Sequence, residues 1–176
     1  NRMSHLRKLL EAHPHEAVLT ESLFSMDGDS PDFAVLKKLK EEFSFLCIVD
    51  EAHALGVLGS KGKGLGRDVA DVAVGTLGKA FGMFGAFILG PQIVRDHLIH
   101  FGQGFIYTTA LPPWHGDMAL AMLERVRCAD DRRANLHELG IAAREILRET
   151  GLTVHGEAHI LALEVGDEIR CQELAA

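Results

Sequence analysis

Three short stretches carry residue types that could do chemistry, and two of them directly follow apolar runs. In Asp50-Glu51-Ala52-His53 a carboxylate stands immediately after Phe45-Leu46-Cys47-Ile48-Val49. A carboxylate at the mouth of an apolar strand needs a cation or hydrogen-bond donors, because burying it unpaired is costly. A protonated heterocyclic nitrogen would satisfy Asp50, and so would the free N–H groups of a turn; the residues alone leave both open. In Gly75-Thr76-Leu77-Gly78-Lys79-Ala80-Phe81-Gly82, Lys79 stands among small and apolar neighbours and is expected to be withdrawn from solvent. Desolvation would lower its amine pKa toward the neutral nucleophile that Schiff-base chemistry uses. Gly78 and Gly82 would let the backbone come close to a ligand, and Thr76 offers a hydroxyl and an N–H to a phosphate. A solvated lysine in a turn is the plainer reading of that stretch by itself. The third stretch, Gly59-Ser60-Lys61-Gly62-Lys63-Gly64, lacks the spacing of a phosphate-binding P-loop and reads as a flexible turn.

Residues this far apart in sequence can meet only if a sheet brings strand ends together. Ser4 to Ala12 places Leu6, Leu9 and Leu10 at helical spacing, and Pro14 is expected to end that helix. Ala17-Val18-Leu19-Thr20 reads as a short buried strand, followed by a turn-rich loop. Ser30 before Pro31 is expected to cap a helix whose apolar face is Phe33, Leu36, Leu39 and Phe43. Phe45 to Val49 has no polar alternation, as in a strand buried on both faces of a parallel sheet. Val72-Ala73-Val74, Ala86-Phe87-Ile88-Leu89 and Phe105-Ile106-Tyr107 are expected as strands. Helices are expected over Ile93 to His100, Trp114 to Val126 and Arg132 to Thr150, with a last strand near Ile160 to Val165. This alternation predicts an α/β fold with a mostly parallel, two-sided sheet, whose ligands sit off the carboxyl ends of the strands. The pattern breaks around Cys128-Ala129-Asp130-Asp131, where a domain boundary is expected. Because the chain opens in a helical pattern and closes on Glu173-Leu174-Ala175-Ala176, it is expected to be part of a longer one.

Composition narrows the possible partners. The 176 residues hold 18 Lys+Arg against 25 Asp+Glu, a net charge of −7, so no basic surface for nucleic acid or an anionic membrane is expected. With 47% hydrophobic and 24% charged residues, the chain has the proportions of an ordinary globular protein. No apolar run approaches the roughly 18–20 residues of a membrane span. Cys47, Cys128 and Cys171 are neither paired nor spaced as metal ligands, which fits a reducing cytosol. His13 with His15, and His97 with His100, lie close in sequence but lack partners in metal-ligand spacing, so no metal is expected.

Four stretches in order carry a family likeness. Thr20-Glu21-Ser22-Leu23-Phe24-Ser25-Met26-Asp27-Gly28-Asp29, Val49-Asp50-Glu51-Ala52-His53-Ala54-Leu55-Gly56-Val57-Leu58-Gly59, the Gly75–Gly82 stretch and Tyr107-Thr108-Thr109-Ala110-Leu111-Pro112-Pro113 resemble the α-oxoamine synthase family of pyridoxal-phosphate enzymes of fold type I. The resemblance covers essentially the whole chain. It implies a three-layer α/β/α large domain with a mostly parallel sheet over residues 1–130. Residues 131–176 would begin a smaller α+β C-terminal domain. It implies pyridoxal 5'-phosphate as cofactor, linked to Lys79, with Asp50 on the ring nitrogen, His53 on the ring hydroxyl, Thr76 on the phosphate and Ser25 beside the ring. Thr108 and Thr109 would reach the phosphate of the partner in a homodimer. The implied reaction condenses an amino acid with an acyl-CoA or acyl-carrier thioester and releases CO2. Met26 to Asp29 and Tyr107 to Pro113 look most like members that use L-alanine and a pimeloyl thioester, ahead of those that use glycine and acetyl-CoA. Lys79 speaks against a non-catalytic partner subunit of the same fold, which has no use for a Schiff-base lysine. Three family features lie outside these residues: an upstream Gly-rich substrate loop, an upstream ring-stacking His and a downstream carboxylate-binding Arg. The loop between Gly66 and Val74 is also short.

Overall fold

The computed structural model of the protein describes residues 2–13 and 17–175; Pro14 and His15 lie outside them. The first helix, α1 (Met3–Ala12), leads to strand β1 (Ala17–Glu21), helix α2 (Phe33–Phe43) and strand β2 (Leu46–Asp50). Helix α2 starts two residues later than Ser30-Pro31 predicts, because the Asp32 carboxylate takes the free Val35 N–H at 3.0 Å and caps the helix instead. Ser44 ends it in the left-handed region, its N–H bonded to the Lys40 carbonyl. The apolar stripes of α1 and α2 settle on one face of the sheet, where Leu10, Leu36 and Leu39 pack with Cys47 and Val49.

Strands β3 (Val72–Thr76) and β4 (Ala86–Leu89) complete a four-stranded sheet in the order β1-β2-β3-β4. β1 runs parallel to β2, pairing Glu21 with Asp50, and β2 runs parallel to β3, pairing Asp50 with Val74. The carboxyl ends of three strands therefore share one edge, where the sequence places its polar motifs. β4 is antiparallel, pairing Ala86 with Thr76, because only a nine-residue link (77–85) joins it to β3 and a parallel return needs a dozen residues or more. Helix α3 (Gln92–Phe101) stands against the other face, over a cleft of about 710 Å³ lined by Val74, Ile88, Val94 and Leu98. The sheet is thus mostly parallel with helices on both sides, the three-layer α/β/α arrangement. β2 is not buried on both faces, as its composition predicts: Leu46 is exposed, and in the neighbouring strand Leu19 is 73% exposed. The helices α1 and α2 cover only the Cys47–Val49 face, and α3 reaches only β3 and β4.

Phe105 to Tyr107 is not a strand. The N–H groups of Phe105 and Ile106 bond back to the Gly102 carbonyl, and Tyr107 adopts a left-handed φ of 61°, so the segment is a turn that unwinds from α3. Helix α4 (Trp114–Arg127) follows, then α5 (Asp130–Glu149). A separate antiparallel pair, β5 (Thr153–His155) with β6 (Ala162–Glu164), precedes α6 (Glu168–Ala175). Among the described residues no helix is long and apolar enough to cross a membrane, and no group of His, Cys, Asp and Glu is placed to hold a metal ion.

Candidate active site

At the carboxyl end of β2 the chain turns over the sheet edge. The Glu51 N–H bonds to the Val74 carbonyl at 2.8 Å, and the Glu51 carbonyl accepts the N–H groups of Ala54 and Leu55. That single turn carries Asp50 at its start and His53 within it. One oxygen of Asp50 accepts the Ala52 N–H at 2.8 Å, which fixes the carboxylate at the strand mouth. His53 Nε2 lies 3.0 Å from Lys79 Nζ, so residues 26 positions apart in the chain meet. With the lysine as ammonium, Nζ donates and the unprotonated Nε2 accepts.

Lys79 rides on the loop between β3 and β4, and this loop is tightly closed. The Leu77 N–H bonds to the Gly85 carbonyl, the Met83 N–H to Leu77 and the Gly82 N–H to Lys79. Leu77 and Phe81 anchor it against Met122 and Val126 of α4, and the buried His115 ring meets the Phe84 carbonyl at 2.7 Å. Contrary to the expectation from its neighbours, Lys79 is exposed, because its apolar neighbours Leu77 and Phe81 turn inward and leave the amine on the outside. In this chain its partner is His53 rather than an apolar wall.

The same loop offers the makings of an anion cradle. Thr76 Oγ1 accepts the Gly78 N–H at 3.1 Å, and a Cβ built on Gly78 would touch only Thr76 Oγ1 at 3.5 Å and Met83 O at 3.6 Å. Gly82, with φ of 62°, has nothing within 4 Å of such a Cβ. The hydroxyl of Thr76, the amine of Lys79, the imidazole of His53 and the carboxylate of Asp50 are a donor set that suits a phosphorylated heteroaromatic aldehyde, while the Gly78 and Gly82 N–H groups bond within the loop itself, to Thr76 Oγ1 and the Lys79 carbonyl.

The other predicted site residues are placed differently. Ser25 is exposed in the loop after β1, its N–H bonded to a Glu21 carboxylate oxygen at 3.1 Å. That loop is held from above: a Cβ on Gly28 would run into the Ile160 carbonyl, so residues 156–160 lie across it. Thr108 and Thr109 are exposed on the turn after α3, and the Thr108 hydroxyl donates to the Gly104 carbonyl at 3.0 Å. They are not brought to the Asp50–His53–Lys79 cluster by this chain.

The glycine loop is not the flexible turn that its composition predicts. Gly62, Gly64 and Gly66 are buried, the Gly56 N–H bonds to the Gly62 carbonyl at 2.7 Å and the Gly64 N–H to Leu58 at 3.0 Å. Its anchor is Glu51, to which sequence reasoning gave no role; the signal was the pairing of a strand-end acid with glycines that leave room for it. His159 was missed as well. Its Nδ1 is buried with no hydrogen-bond partner among the described residues, and its pKa is lowered, first by burial and then by its electrostatic interaction with His53.

The sequence profile of the aminotransferase class I and II family matches residues 1–176. The chain is 39% identical over 176 residues to a putative 8-amino-7-oxononanoate synthase of Bacillus cereus, covering 94% of this chain and 45% of the relative. It is 37% identical over 183 residues to an 8-amino-7-oxononanoate synthase of Chlorobaculum parvum, covering 98% and 46%. The chain thus spans under half the length of these relatives. Among solved structures, a serine palmitoyltransferase of Sphingomonas wittichii superposes with a TM-score of 0.86 at 25% identity, covering 97% of this chain and 45% of that one. The 8-amino-7-oxononanoate synthase of Francisella tularensis superposes with a TM-score of 0.80 at 29% identity, covering 97% and 53%.

Proposed function

The chain belongs to the aminotransferase class I and II family, and from that premise we propose that it forms the cofactor-binding part of a pyridoxal-phosphate-dependent acyltransferase. The reaction joins L-alanine to a pimeloyl thioester, carried by CoA or an acyl carrier, with loss of CO2, as in biotin synthesis. The observation that carries this reading is the meeting of His53 Nε2 and Lys79 Nζ at 3.0 Å, at the strand edge where Asp50 stands. The 8-amino-7-oxononanoate synthases among its relatives supply the choice of substrates.

Lys79 would attach the cofactor, with Asp50 toward its ring nitrogen, His53 toward its ring hydroxyl and Thr76 toward its phosphate, and Gly78 would let the backbone come close to that phosphate. Bound there, pyridoxal phosphate supplies an electron sink for bond cleavage at the α-carbon of the amino acid. The negative charge of Asp50 favours the protonated form of a ring nitrogen beside it. Lys79 Nζ would give and take the proton at the α-carbon, and the His53 Nε2 contact at 3.0 Å places that amine at the strand edge before the cofactor is bound. Ser25, exposed on the loop after β1, would come beside the ring of a bound cofactor.

Thr108 and Thr109 act in the site of a second subunit. Exposed apolar side chains around them, including Phe101, Phe105, Tyr107 and Trp114, support a homodimer formed through this face. Residues 1–130 form part of the large domain and 131–176 begin the small one, in keeping with the separate β5–β6 pair. The unpaired thiols of Cys128 and Cys171 are exposed, as suits a reducing cytoplasm. A spectroscopic titration of the full-length protein, loaded with cofactor, tests the substrate. A change of the cofactor band with L-alanine, well below the concentrations of glycine or serine that produce one, is expected. A preference for glycine would move the reading to an acetyl-CoA-dependent ligase, and a preference for serine to a palmitoyltransferase.

A further inference from the structure

Glu51 is 5% exposed and has no cation beside it among the described residues. Instead it gathers three donors: the Ser22 hydroxyl at 2.6 Å, the Leu65 N–H at 3.0 Å and the Gly66 N–H at 2.5 Å. Every contact donates to the carboxylate, which is what an acceptor-only group requires when it is taken out of water. Ser22, fully buried, comes from the end of β1, and Leu65 and Gly66 come from the far end of the glycine loop. Gly64 and Gly66 are spaced for this: a Cβ on Gly64 would collide with the carboxylate itself, and one on Gly66 would lie 3.1 Å from Oε1.

What this knot holds is the reactive pair. Glu51 lies between Asp50 and His53, and its carbonyl closes the turn that carries both. The glycine loop that it pins returns through Gly62 to Gly56, where a Cβ would stand 2.6 Å from the Cβ of Ala80, the neighbour of Lys79. One carboxylate therefore braces the His53 turn directly and the Lys79 loop through Gly56. We propose that Glu51 is a positioning residue, which, by tying Ser22, Leu65 and Gly66 together, sets the register of His53 against Lys79. Its connection to cofactor binding rests on the function proposed above.

The test compares Glu51→Ala and Glu51→Gln with Leu36→Ala, which empties the core under α2 instead. In full-length, cofactor-free protein, Glu51→Ala is expected to speed hydrogen exchange at the Leu65 and Gly66 amides and to shift the His53 imidazole resonances. Its affinity for added pyridoxal phosphate, read by absorbance, is expected to fall about tenfold or more, the scale of a lost supporting partner. Glu51→Gln keeps an acceptor for the loop N–H groups while its NH2 can donate to Ser22 Oγ, so it is expected to recover affinity to within about threefold of wild type. Leu36→Ala, compared at equal folded fraction, is expected to leave the His53 signal and the affinity unchanged. A folded Glu51→Ala protein with wild-type His53 signals and affinity would overturn the proposal. If Glu51→Ala does not fold, Ser22→Ala replaces it, removing one donor of three; a shifted His53 signal supports the proposal and a wild-type one overturns it. Failure of the wild-type protein to bind pyridoxal phosphate would overturn the proposed function, while the exchange and His53 measurements would still decide the role of Glu51.

Discussion

Gly66→Ala is the smallest perturbation that strains the anchor of the site. A Cβ at residue 66 would lie 2.6 Å from Val49 Cγ1, 3.1 Å from Val49 Cβ and 3.1 Å from Glu51 Oε1. Carbon atoms in contact sit at about 3.5–4.0 Å, so the shortfall against Cγ1 is roughly 0.9 Å or more. Val49 cannot yield it cheaply, since it is fully buried on β2 in the cluster with Leu36, Leu39 and Phe45. If the loop yields instead, the Gly66 N–H leaves the Glu51 carboxylate. Overpacking of a core costs about 1–3 kcal/mol, and a hydrogen bond to a charged group is worth about 1.5–3 kcal/mol. One displacement relieves both strains in part, so the terms do not add fully, and a loss of about 2–4 kcal/mol is expected. At about 1.4 kcal/mol per decade, that is some 30- to 700-fold in the unfolding equilibrium. Urea denaturation of the full-length protein should show a lower midpoint at an unchanged slope. A variant within about 0.5 kcal/mol of wild type, the range of an ordinary surface change, would refute the packing argument.

Gly78→Ala should behave in the opposite way. Its Cβ meets nothing closer than 3.5 Å, so the midpoint should stay at wild type while pyridoxal-phosphate affinity falls about tenfold or more; unchanged affinity would remove Gly78 from the cradle. Asp71 accepts the Cys47 N–H at 2.7 Å and pairs with Lys40 at 2.7 Å; partial burial acts to raise its pKa, but these two partners outweigh it and hold the carboxyl below its ordinary value. Its stabilising effect is therefore present above the ordinary carboxylate range and is lost as pH falls through the depressed native value, so wild type should lose more stability on acidification than Asp71→Asn; parallel curves would contradict this. His159, lowered by burial first and then by His53, contributes stability that is present above the ordinary imidazole range and lost as pH falls toward its native value. An NMR titration should place its midpoint below that of an unfolded-state histidine, and one at or above it would count against the buried placement.

The strand edge was legible because each apolar run stops where a polar motif begins, and the parallel register then brings those stops together. Asp50 and His53 fall on one turn for that reason, and Lys79 on the next loop. The direction of β4 was not legible, since Ala86-Phe87-Ile88-Leu89 reads the same either way; the length of the link to β3 decides it. Phe105 to Tyr107 has strand composition but no partner strand among the described residues, and the N–H groups of Phe105 and Ile106 return to Gly102 instead. Lys79 illustrates a different limit: which side of a loop faces outward depends on where Leu77 and Phe81 find a core, and α4, some forty residues on, provides it. The glycines of residues 56–66 look like freedom in a sequence. In the structure their missing side chains are the space that Glu51 and Ala80 occupy.

The proposed function requires that Lys79, and not another lysine of the neighbouring loops, is the point at which the cofactor is attached. Full-length protein is incubated with pyridoxal phosphate, reduced with borohydride, digested and mapped by mass spectrometry, with Lys79→Ala treated in parallel. The expected result is added mass on the peptide that contains Lys79, and a variant that binds the cofactor reversibly through Asp50, His53 and Thr76 but retains no mass after reduction. Mass on Lys61 or Lys63, or equal labelling of the Lys79→Ala protein, would contradict it.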